Sequence, residues 1–158
     1  MKKQEKTNVM RILDQKKVAY QQHCYADTDA ISGEEVAQVL HQDPQQVFKT
    51  LVTVGHSKNH YVFVIPVCRE LDLKKAARAV GEKSIEMLKA RDLLPLTGYV
   101  HGGCSPIGMK KSFITTIDLS AQEQNTIFFS AGKIGYQVEI TLDALSKVID
   151  FTLSDLCN

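Results

Sequence analysis

Several features of membrane, secreted and fibrous proteins are missing from this sequence. It contains no run of about eighteen consecutive apolar residues, so no membrane span is predicted. The charged segment at residues 1–6 is not followed by an apolar stretch, so no secretory signal peptide is predicted. Low-complexity tracts, internal repeats and long linkers are also absent. With 158 residues, 44% of them hydrophobic, the chain is predicted to form a single domain over residues 1–158.

Excess charge and paired cysteines are also lacking. The formal net charge is only +1, whereas a protein that coats duplex nucleic acid is usually more basic. Any nucleic-acid partner must therefore be met by a local basic patch. The four cysteines, Cys24, Cys68, Cys104 and Cys157, are widely separated and form no C-x-x-C pair. That spacing predicts neither a zinc site nor a disulfide framework, and it is typical of reduced thiols in a cytoplasmic protein.

Hydrophobic periodicity and turn residues predict a mixture of helices and strands. Helices are predicted at residues 7–17, after the capping box that begins at Ser32, and at residues 72–80 and 142–148. The predicted strands are residues 20–25, 48–54, 60–66, 84–87, 113–117, 127–130 and 137–140, with a hairpin between the second and third. Because the order lacks regular βαβ alternation, we predict an α+β fold with a mixed, barrel-like sheet core and surrounding helices.

A lone lysine enters one of these apolar strands. Lys49 lies in residues 47–52 (VFKTLV), where a charged ammonium is costly unless it has a partner or a ligand. The commoner interpretation of such a lysine is an edge-strand side chain whose stem packs while its ammonium reaches water. A ligand becomes the stronger interpretation only if backbone donors lie in the same pocket.

A glycine-rich loop could supply those donors. Residues 97–111 (TGYVHGGCSPIGMKK) contain four glycines and end in two lysines. Glycines allow bare backbone N–H groups to approach a bound carbonyl or phosphate, although they are also common in tight connections. The loop is not a P-loop, because the G-x-x-x-x-G-K-[ST] pattern is absent. Together with Lys49, the loop suggests a pocket for an acyl ester at the end of a polyanion.

Histidines and cysteines offer weaker interpretations. His101 and Cys104 could be a base and a nucleophile, but no third group is identifiable to orient the histidine, so a small loop thiol is expected instead. His56 and His60 have the spacing of helix-borne metal ligands. They lie in a turn that also contains glycine, serine and asparagine, so we predict no metal and no other cofactor.

Residues 33–50 also scan as a helix-turn-helix, which makes a DNA-binding regulator an alternative from another functional class. The second element counts against it, because this element runs directly into residues 51–54 (LVTV), which are apolar and β-branched. A helix that reads bases would not be expected to become a core strand after two turns.

Five segments, in this order and spacing, resemble the YbaK/EbsC family. They are residues 48–52 (FKTLV), 71–77 (LDLKKAA), 97–99 (TGY), 102–108 (GGCSPIG) and 130–133 (SAGK). Family members are Cys-tRNA(Pro) deacylases related to the editing domain of bacterial prolyl-tRNA synthetase. The resemblance implies the fold of that editing domain and a trans-editing activity that removes cysteine from mischarged tRNA. It also implies two partners, the tRNA(Pro) acceptor end and prolyl-tRNA synthetase.

The resemblance further implies which residues form the site. Lys49 corresponds to an essential lysine of the family, and Gly102 to a glycine of its pocket. We predict that Lys49 holds the terminal adenosine or its phosphate, and that the N–H groups of Gly102 and Gly103 stabilise an oxyanion. The residues that we predict around the substrate are Tyr25, Ser32, Thr50, His101, Ser105, Pro106, Ser130 and Gln137.

Two departures from the family leave the edited amino acid open. Some members have an aromatic residue in place of Ser32 and an acidic residue in place of Gln137. The first hypothesis is that the thiol of the substrate cysteine attacks its own ester, which requires no protein nucleophile. The alternative enzyme is an Ala-tRNA(Pro) deacylase that activates water on a similar scaffold.

Overall fold

The computed structural model describes residues 6–158. Within these residues, five α-helices surround two β-sheets. The helices are α1 (Asn8–Gln15), α2 (Gly33–Val39), α3 (Leu73–Val80), α4 (Ala90–Thr97) and α5 (Leu142–Ser146). The strands are β1 (Gln21–Cys24), β2 (Phe48–Gly55), β3 (His60–Pro66), β4 (Ile85–Met87), β5 (Ile114–Asp118), β6 (Ile127–Ser130), β7 (Tyr136–Ile140) and β8 (Thr152–Ser154). No helix in this part of the chain is long and apolar enough to cross a membrane.

The larger sheet is mixed and the smaller is antiparallel. The five-stranded sheet has the order β4-β2-β3-β5-β8, in which β3–β5 and β5–β8 are parallel pairs. The three-stranded sheet has the order β1-β7-β6. A parallel bridge between Val47, just before β2, and Phe128 on β6 brings the two sheets together. The predicted α+β fold and the hairpin of β2 and β3 are therefore confirmed, with the strands divided between two sheets.

Two hydrophobic clusters cover opposite sides of the larger sheet. The first packs α1 against both sheets and includes Val9, Leu13, Phe48 and Val52. The second lies under α3 and includes Phe63, which is fully buried. Alternation along β2 separates the faces, since Phe48 and Val52 belong to the first cluster while Leu51 packs against the second. The start of β2 is thus held from both sides, which fixes the position of Lys49.

Helix ends follow the signals in the sequence. The side chain of Ser32 accepts a hydrogen bond from the N–H of Glu35, and the Glu35 carboxylate accepts one from the N–H of Ser32, which completes the predicted capping box of α2. The Asp72 carboxylate caps α3 by accepting hydrogen bonds from the N–H groups of Lys74 and Lys75, without a reciprocal bond. Gly81 ends α3 in the left-handed region with φ of 74°.

Three local predictions differ from the structure. Helix α4 was not predicted, because it contains Pro95 and its N-cap, Lys89, makes no side-chain cap hydrogen bond. Strand β8 was not predicted, because it forms through parallel pairing with β5, 36 positions earlier in the chain. The helix-turn-helix interpretation is wrong. After Asp43 the chain makes a single turn at residues 44–46 and enters β2, so no second helix exists there.

Candidate active site

A cavity of about 470 Å³ lies beside the bridge that joins the two sheets. Its walls come from the start of β2, the ends of β6 and β7 that lie side by side, the start of α2 and the glycine loop. Of the residues predicted for the site, it collects Tyr25, Ser32, Lys49, Thr50, His101, Gly102, Ser130 and Gln137. Residues up to 112 positions apart, from Tyr25 to Gln137, therefore share one concave surface.

Lys49 is the cation of this cavity. Its backbone pairs with Ile65 in the hairpin, and its side chain is half-buried. Among residues 6–158, no carboxylate forms an ion pair with its ammonium group and no hydrogen bond engages it. A partly desolvated ammonium without an internal partner attracts an anion, such as a phosphate.

Thr50 adds a hydroxyl that the protein does not satisfy. Its Oγ1 is buried and has no hydrogen-bond partner within the described residues. Leaving a buried hydroxyl unpaired costs about 1–3 kcal/mol, so such groups are uncommon and often belong to functional sites. Thr50 lines the cavity next to Lys49, but less than 1 Å² of its Oγ1 is accessible, so this hydroxyl lies behind the cavity surface.

Gly102 is the glycine of the loop that lines the cavity. This residue has φ of 87°, in the left-handed region, and a Cβ added there would lie 2.9 Å from Cγ2 of Ile31. No side chain fits without displacement, so the backbone itself forms the wall. The neighbouring N–H of Gly103 donates to the carbonyl of Val100 at 3.0 Å. Gly103 is therefore not an available donor, and the predicted oxyanion contact is reduced to Gly102.

Tyr25 and Ser130 also line the cavity. Tyr25 is buried, and burial raises the pKa of its phenol, although a hydrogen bond with the backbone of Gly135 acts in the opposite direction. The phenol is thus a protonated donor at neutral pH. The Ser130 hydroxyl accepts the N–H of Gly132 at 3.2 Å, and its own hydrogen remains available to a ligand.

Ser32 and Gln137 line the cavity, but both also have internal partners. The Ser32 hydroxyl serves as the N-cap of α2. Gln137 is only 2% exposed, and its amide pairs with that of Gln42. Gln42 was not predicted as part of the site, because nothing local in the sequence links two glutamines 95 positions apart.

Tyr99 is a second residue that site prediction missed. Its hydroxyl donates to the carbonyl of Ile107 at 2.5 Å, which closes the glycine loop on itself. Its ring also lies against Gly132, where an added Cβ would be 3.0 Å from Cε1 of Tyr99. Tyr99 thereby holds the loop that carries Gly102 and the turn that follows Ser130 in one arrangement. Tyr99 belongs to residues 97–99 (TGY), one of the five segments that resemble the family, and this segment was the signal in the sequence that could have identified it.

Ser105 and Pro106 are not brought to this cavity. Ser105 is fully buried, and its hydroxyl accepts the N–H of Ile107. Pro106 lines a different, more open cavity of about 690 Å³. Their predicted contact with the substrate followed from proximity in sequence to Gly102. The loop turns inward after Cys104, and this turn removes both residues from the site.

Cys104 and His101 do not form a catalytic pair. No hydrogen bond joins them in the described chain, and His101 is exposed while Cys104 is buried. Burial raises the pKa of the Cys104 thiol to about 12, so it stays protonated across the neutral range. A thiol in this state is a small wall group and not a nucleophile.

We expect Cys104→Ala to retain the deacylase activity that the family resemblance implies within about threefold of the wild type, since no covalent step on this residue is available. The pH dependence of the rate between about pH 6 and 9 should also be unchanged, because the thiol does not ionise in that range. Steady-state rates of the two proteins over this pH range provide the measurement. A loss of about 1,000-fold, as expected for a catalytic nucleophile, would contradict the assignment of Cys104 as a wall group.

The comparisons with known proteins agree with this geometry. Residues 27–148 match the family model for the aminoacyl-tRNA editing domain. A protein of Enterococcus faecalis (strain ATCC 700802 / V583), provisionally named Cys-tRNA(Pro)/Cys-tRNA(Cys) deacylase EbsC, is 49% identical over 156 residues. That alignment covers 98% of this chain and 95% of the relative.

Two proteins that are less similar to this chain have names that refer to prolyl-tRNA synthetase. A proline–tRNA ligase of Thermosipho africanus (strain TCF52B) is 26% identical over 119 residues, which are 75% of this chain and 21% of the ligase. A crystal structure, provisionally described as a trans-editing enzyme for prolyl tRNA synthetase, superposes with a TM-score of 0.80 at 23% identity. It covers 96% of this chain and 98% of that one, and so shows the same fold.

The matched region includes every wall of the cavity except Tyr25, which lies two residues before it. The chain therefore belongs to the aminoacyl-tRNA editing domain family.

Proposed function

We propose that this protein is a trans-editing deacylase that removes cysteine from mischarged Cys-tRNA(Pro). The observation that carries the proposal is the cavity that an unpartnered Lys49 lines together with Tyr25, Ser130 and the bare backbone of Gly102. The 49% identity with a relative that is named as a cysteinyl-tRNA deacylase supports the choice of substrate. A cytoplasmic location would follow from such a substrate.

The cavity suits the end of an aminoacyl-tRNA. We assign the Lys49 ammonium to the terminal phosphate, and the hydroxyls of Tyr25 and Ser130 to the ribose or the aminoacyl group. The N–H of Gly102 is the remaining backbone donor near the ester carbonyl. A net charge of +1 fits a protein that grips a single-stranded acceptor end by a few contacts and does not coat a duplex.

The proposed reaction uses the substrate's own thiol. Its sulfur attacks the ester carbonyl, a carbon–sulfur bond forms, and the bond from the carbonyl carbon to the ribose oxygen breaks. The thiol proton ends on that ribose oxygen, so the products are free tRNA and a cyclic cysteine thiolactone. The protein has to fold the cysteinyl group into a reactive geometry and stabilise the developing oxyanion. The protonated state of Cys104 fits this scheme, because it leaves the cavity without an activated nucleophile.

We further propose that tRNA selection depends on prolyl-tRNA synthetase. The cavity is large enough for an aminoacyl group and a terminal nucleoside, and it offers no extended basic surface to read a whole tRNA. The similarity to a segment of a proline–tRNA ligase supports a shared origin with an editing domain of that enzyme. Docking to the synthetase would then supply the specificity that this chain lacks.

The test compares deacylation of Cys-tRNA(Pro) and Ala-tRNA(Pro) side by side. Rapid loss of cysteine with little loss of alanine is the expected result, since alanine has no thiol to cyclise. Equal or faster loss of alanine would mean that water is the attacking group and would overturn the thiol mechanism. No loss of either amino acid would overturn the deacylase itself.

A further inference from the structure

The candidate active site contains a carboxylate that the proposed reaction has not yet used. Among the cavity-lining residues in the described part of the chain, Glu34 is the only acidic residue and Lys49 the only lysine or arginine. Within residues 6–158, no ion pair joins these two side chains. The cavity therefore offers a ligand one positive group and, separately, one negative group.

Glu34 is one of two neighbouring acidic residues in the first turn of α2. The other, Glu35, is engaged in the capping box, where its carboxylate accepts the N–H groups of Ser32 and Ile31 at 3.1 and 3.4 Å. No hydrogen bond or ion pair within residues 6–158 engages the Glu34 carboxylate. The helix dipole favours an acidic residue at this position in any helix. It does not account for the placement of Glu34 in the cavity wall.

The amide of Gln137, which also lines the cavity, is a poor substitute for this carboxylate. Nε2 of Gln42 donates to Oε1 of Gln137 at 2.8 Å, and Nε2 of Gln137 donates to Oε1 of Gln42 at 2.9 Å, so the two amides form a closed pair. The carbonyl oxygen of Gln137 is thus already an acceptor and carries no formal charge. A cation bound in the cavity would pair with Glu34.

We propose that the Glu34 carboxylate binds the α-ammonium group of the aminoacyl ester. The inference rests on the proposed function, but it needs only an aminoacyl ester as substrate and holds whether a thiol or water attacks. The end of an aminoacyl-tRNA carries a phosphate on one side of the ribose and, below about pH 7, an ammonium group beside the ester carbonyl. Lys49 and Glu34 match these two charges in sign.

Such a contact would orient the group that reacts. The α-carbon bears the ammonium group, the side chain and the ester carbonyl. With the phosphate held by Lys49 and the ammonium group held by Glu34, the direction of the amino-acid side chain is fixed as well. For a cysteinyl ester, this brings the thiol toward its own carbonyl, which is the geometry that cyclisation requires.

The experiment measures kcat/KM of the wild type and of Glu34→Gln for two esters of tRNA(Pro) at about pH 6.5. One is the cysteinyl ester, and the other is the 3-mercaptopropionyl ester, which keeps the thiol and the carbon chain but has no amino group. We expect Glu34→Gln to lose about tenfold on the cysteinyl ester, the effect of losing one charge-assisted hydrogen bond. On the 3-mercaptopropionyl ester the two proteins should be equal. Because each ester is compared between proteins, the difference in intrinsic reactivity of the esters cancels.

The direction of the change separates this role from general electrostatics. Since tRNA is a polyanion, removing a carboxylate that does not contact the substrate should leave kcat/KM unchanged or raise it. The matched control is Asp143→Asn. Asp143 is an exposed acidic residue that holds the same second position in α5 and lies outside the cavity. No loss on either ester is expected for it.

Other outcomes would contradict the inference. An unchanged or higher rate of Glu34→Gln on the cysteinyl ester would overturn it, and so would an equal loss on both esters, which indicates a structural effect. If the variant does not fold, the wild type alone decides the question. Its rate enhancement over the uncatalysed reaction should be about tenfold smaller for the 3-mercaptopropionyl ester, and equal enhancements would overturn the inference. A wild type inactive on the cysteinyl ester would instead overturn the proposed function, and the inference with it.

Discussion

Replacing Lys49 by alanine is expected to lower kcat/KM for Cys-tRNA(Pro) by about 100-fold or more. The half-buried ammonium is the cation of the cavity, and it has no partner among residues 6–158 that would compete for it. Removing one charged or hydrogen-bonding group that stabilises a transition state typically costs about 100- to 1,000-fold in rate. Single-turnover deacylation under conditions of excess enzyme is the appropriate measurement, because it separates chemistry from product release.

Two controls make the Lys49 result interpretable. Lys74→Ala removes an equal charge from an exposed position on α3, so it reports any general electrostatic attraction of tRNA. Lys49→Arg keeps the charge but replaces a compact ammonium with a larger planar group, and partial activity is expected. Wild-type rates in Lys49→Ala, or an equal loss in Lys74→Ala, would remove Lys49 from the site.

Substitutions of Gly102 are expected to have the second largest effect. Alanine at this position meets both a left-handed backbone, with φ of 87°, and a contact of 2.9 Å between its Cβ and Cγ2 of Ile31. Ile31 also lines the cavity, so relief of this contact moves a wall. A displacement of about 1 Å near reacting groups can cost about 100-fold in rate. We expect a loss of about that size in kcat for Gly102→Ala and a larger one for Gly102→Val.

Gly81→Ala is the matched control for Gly102. Gly81 has a similar φ of 74°, but an added Cβ there would meet no atom within 4 Å. Both alanine variants should therefore lose about 1 kcal/mol of unfolding free energy from backbone strain. Only Gly102→Ala should also lose deacylation. Thermal unfolding and activity measured on the same preparations separate the two effects, and full activity in Gly102→Ala would contradict a role for the close approach of Gly102.

The sequence predicted those elements whose signals are local. The hairpin of β2 and β3 has long β-branched runs on either side of a polar turn, and α2 and α3 have complete capping residues. Helix α4 ends at a glycine C-cap, Gly98, but it has no N-cap side chain and contains Pro95, so it depends more on packing. Its residue Leu93 reaches the cavity wall, and Thr97 is buried at its end. Tertiary contacts that follow from the whole fold cannot be read from a window of a dozen residues.

Only part of the site could be predicted from the sequence. Lys49 and Gly102 could be identified because their residue types are unusual in their surroundings. The direction in which a side chain points after a turn is not encoded so locally, which explains why Ser105 and Pro106 were assigned to the cavity. Gln42 could not have been found, since a polar residue after a helix is ordinary until its partner is known.

The closed glutamine pair has an evolutionary consequence. A carboxylate at position 137 would still accept from Gln42, but it would have no N–H to return to Oε1 of Gln42 and would place two acceptors face to face. The first substitution at either position is thus unfavourable until the second occurs. Among descendants of a common ancestor, we expect positions 42 and 137 to covary, with a donor such as lysine or arginine at 42 wherever 137 is acidic. Lineages would then change the chemistry of this wall in paired steps and seldom through single mutations.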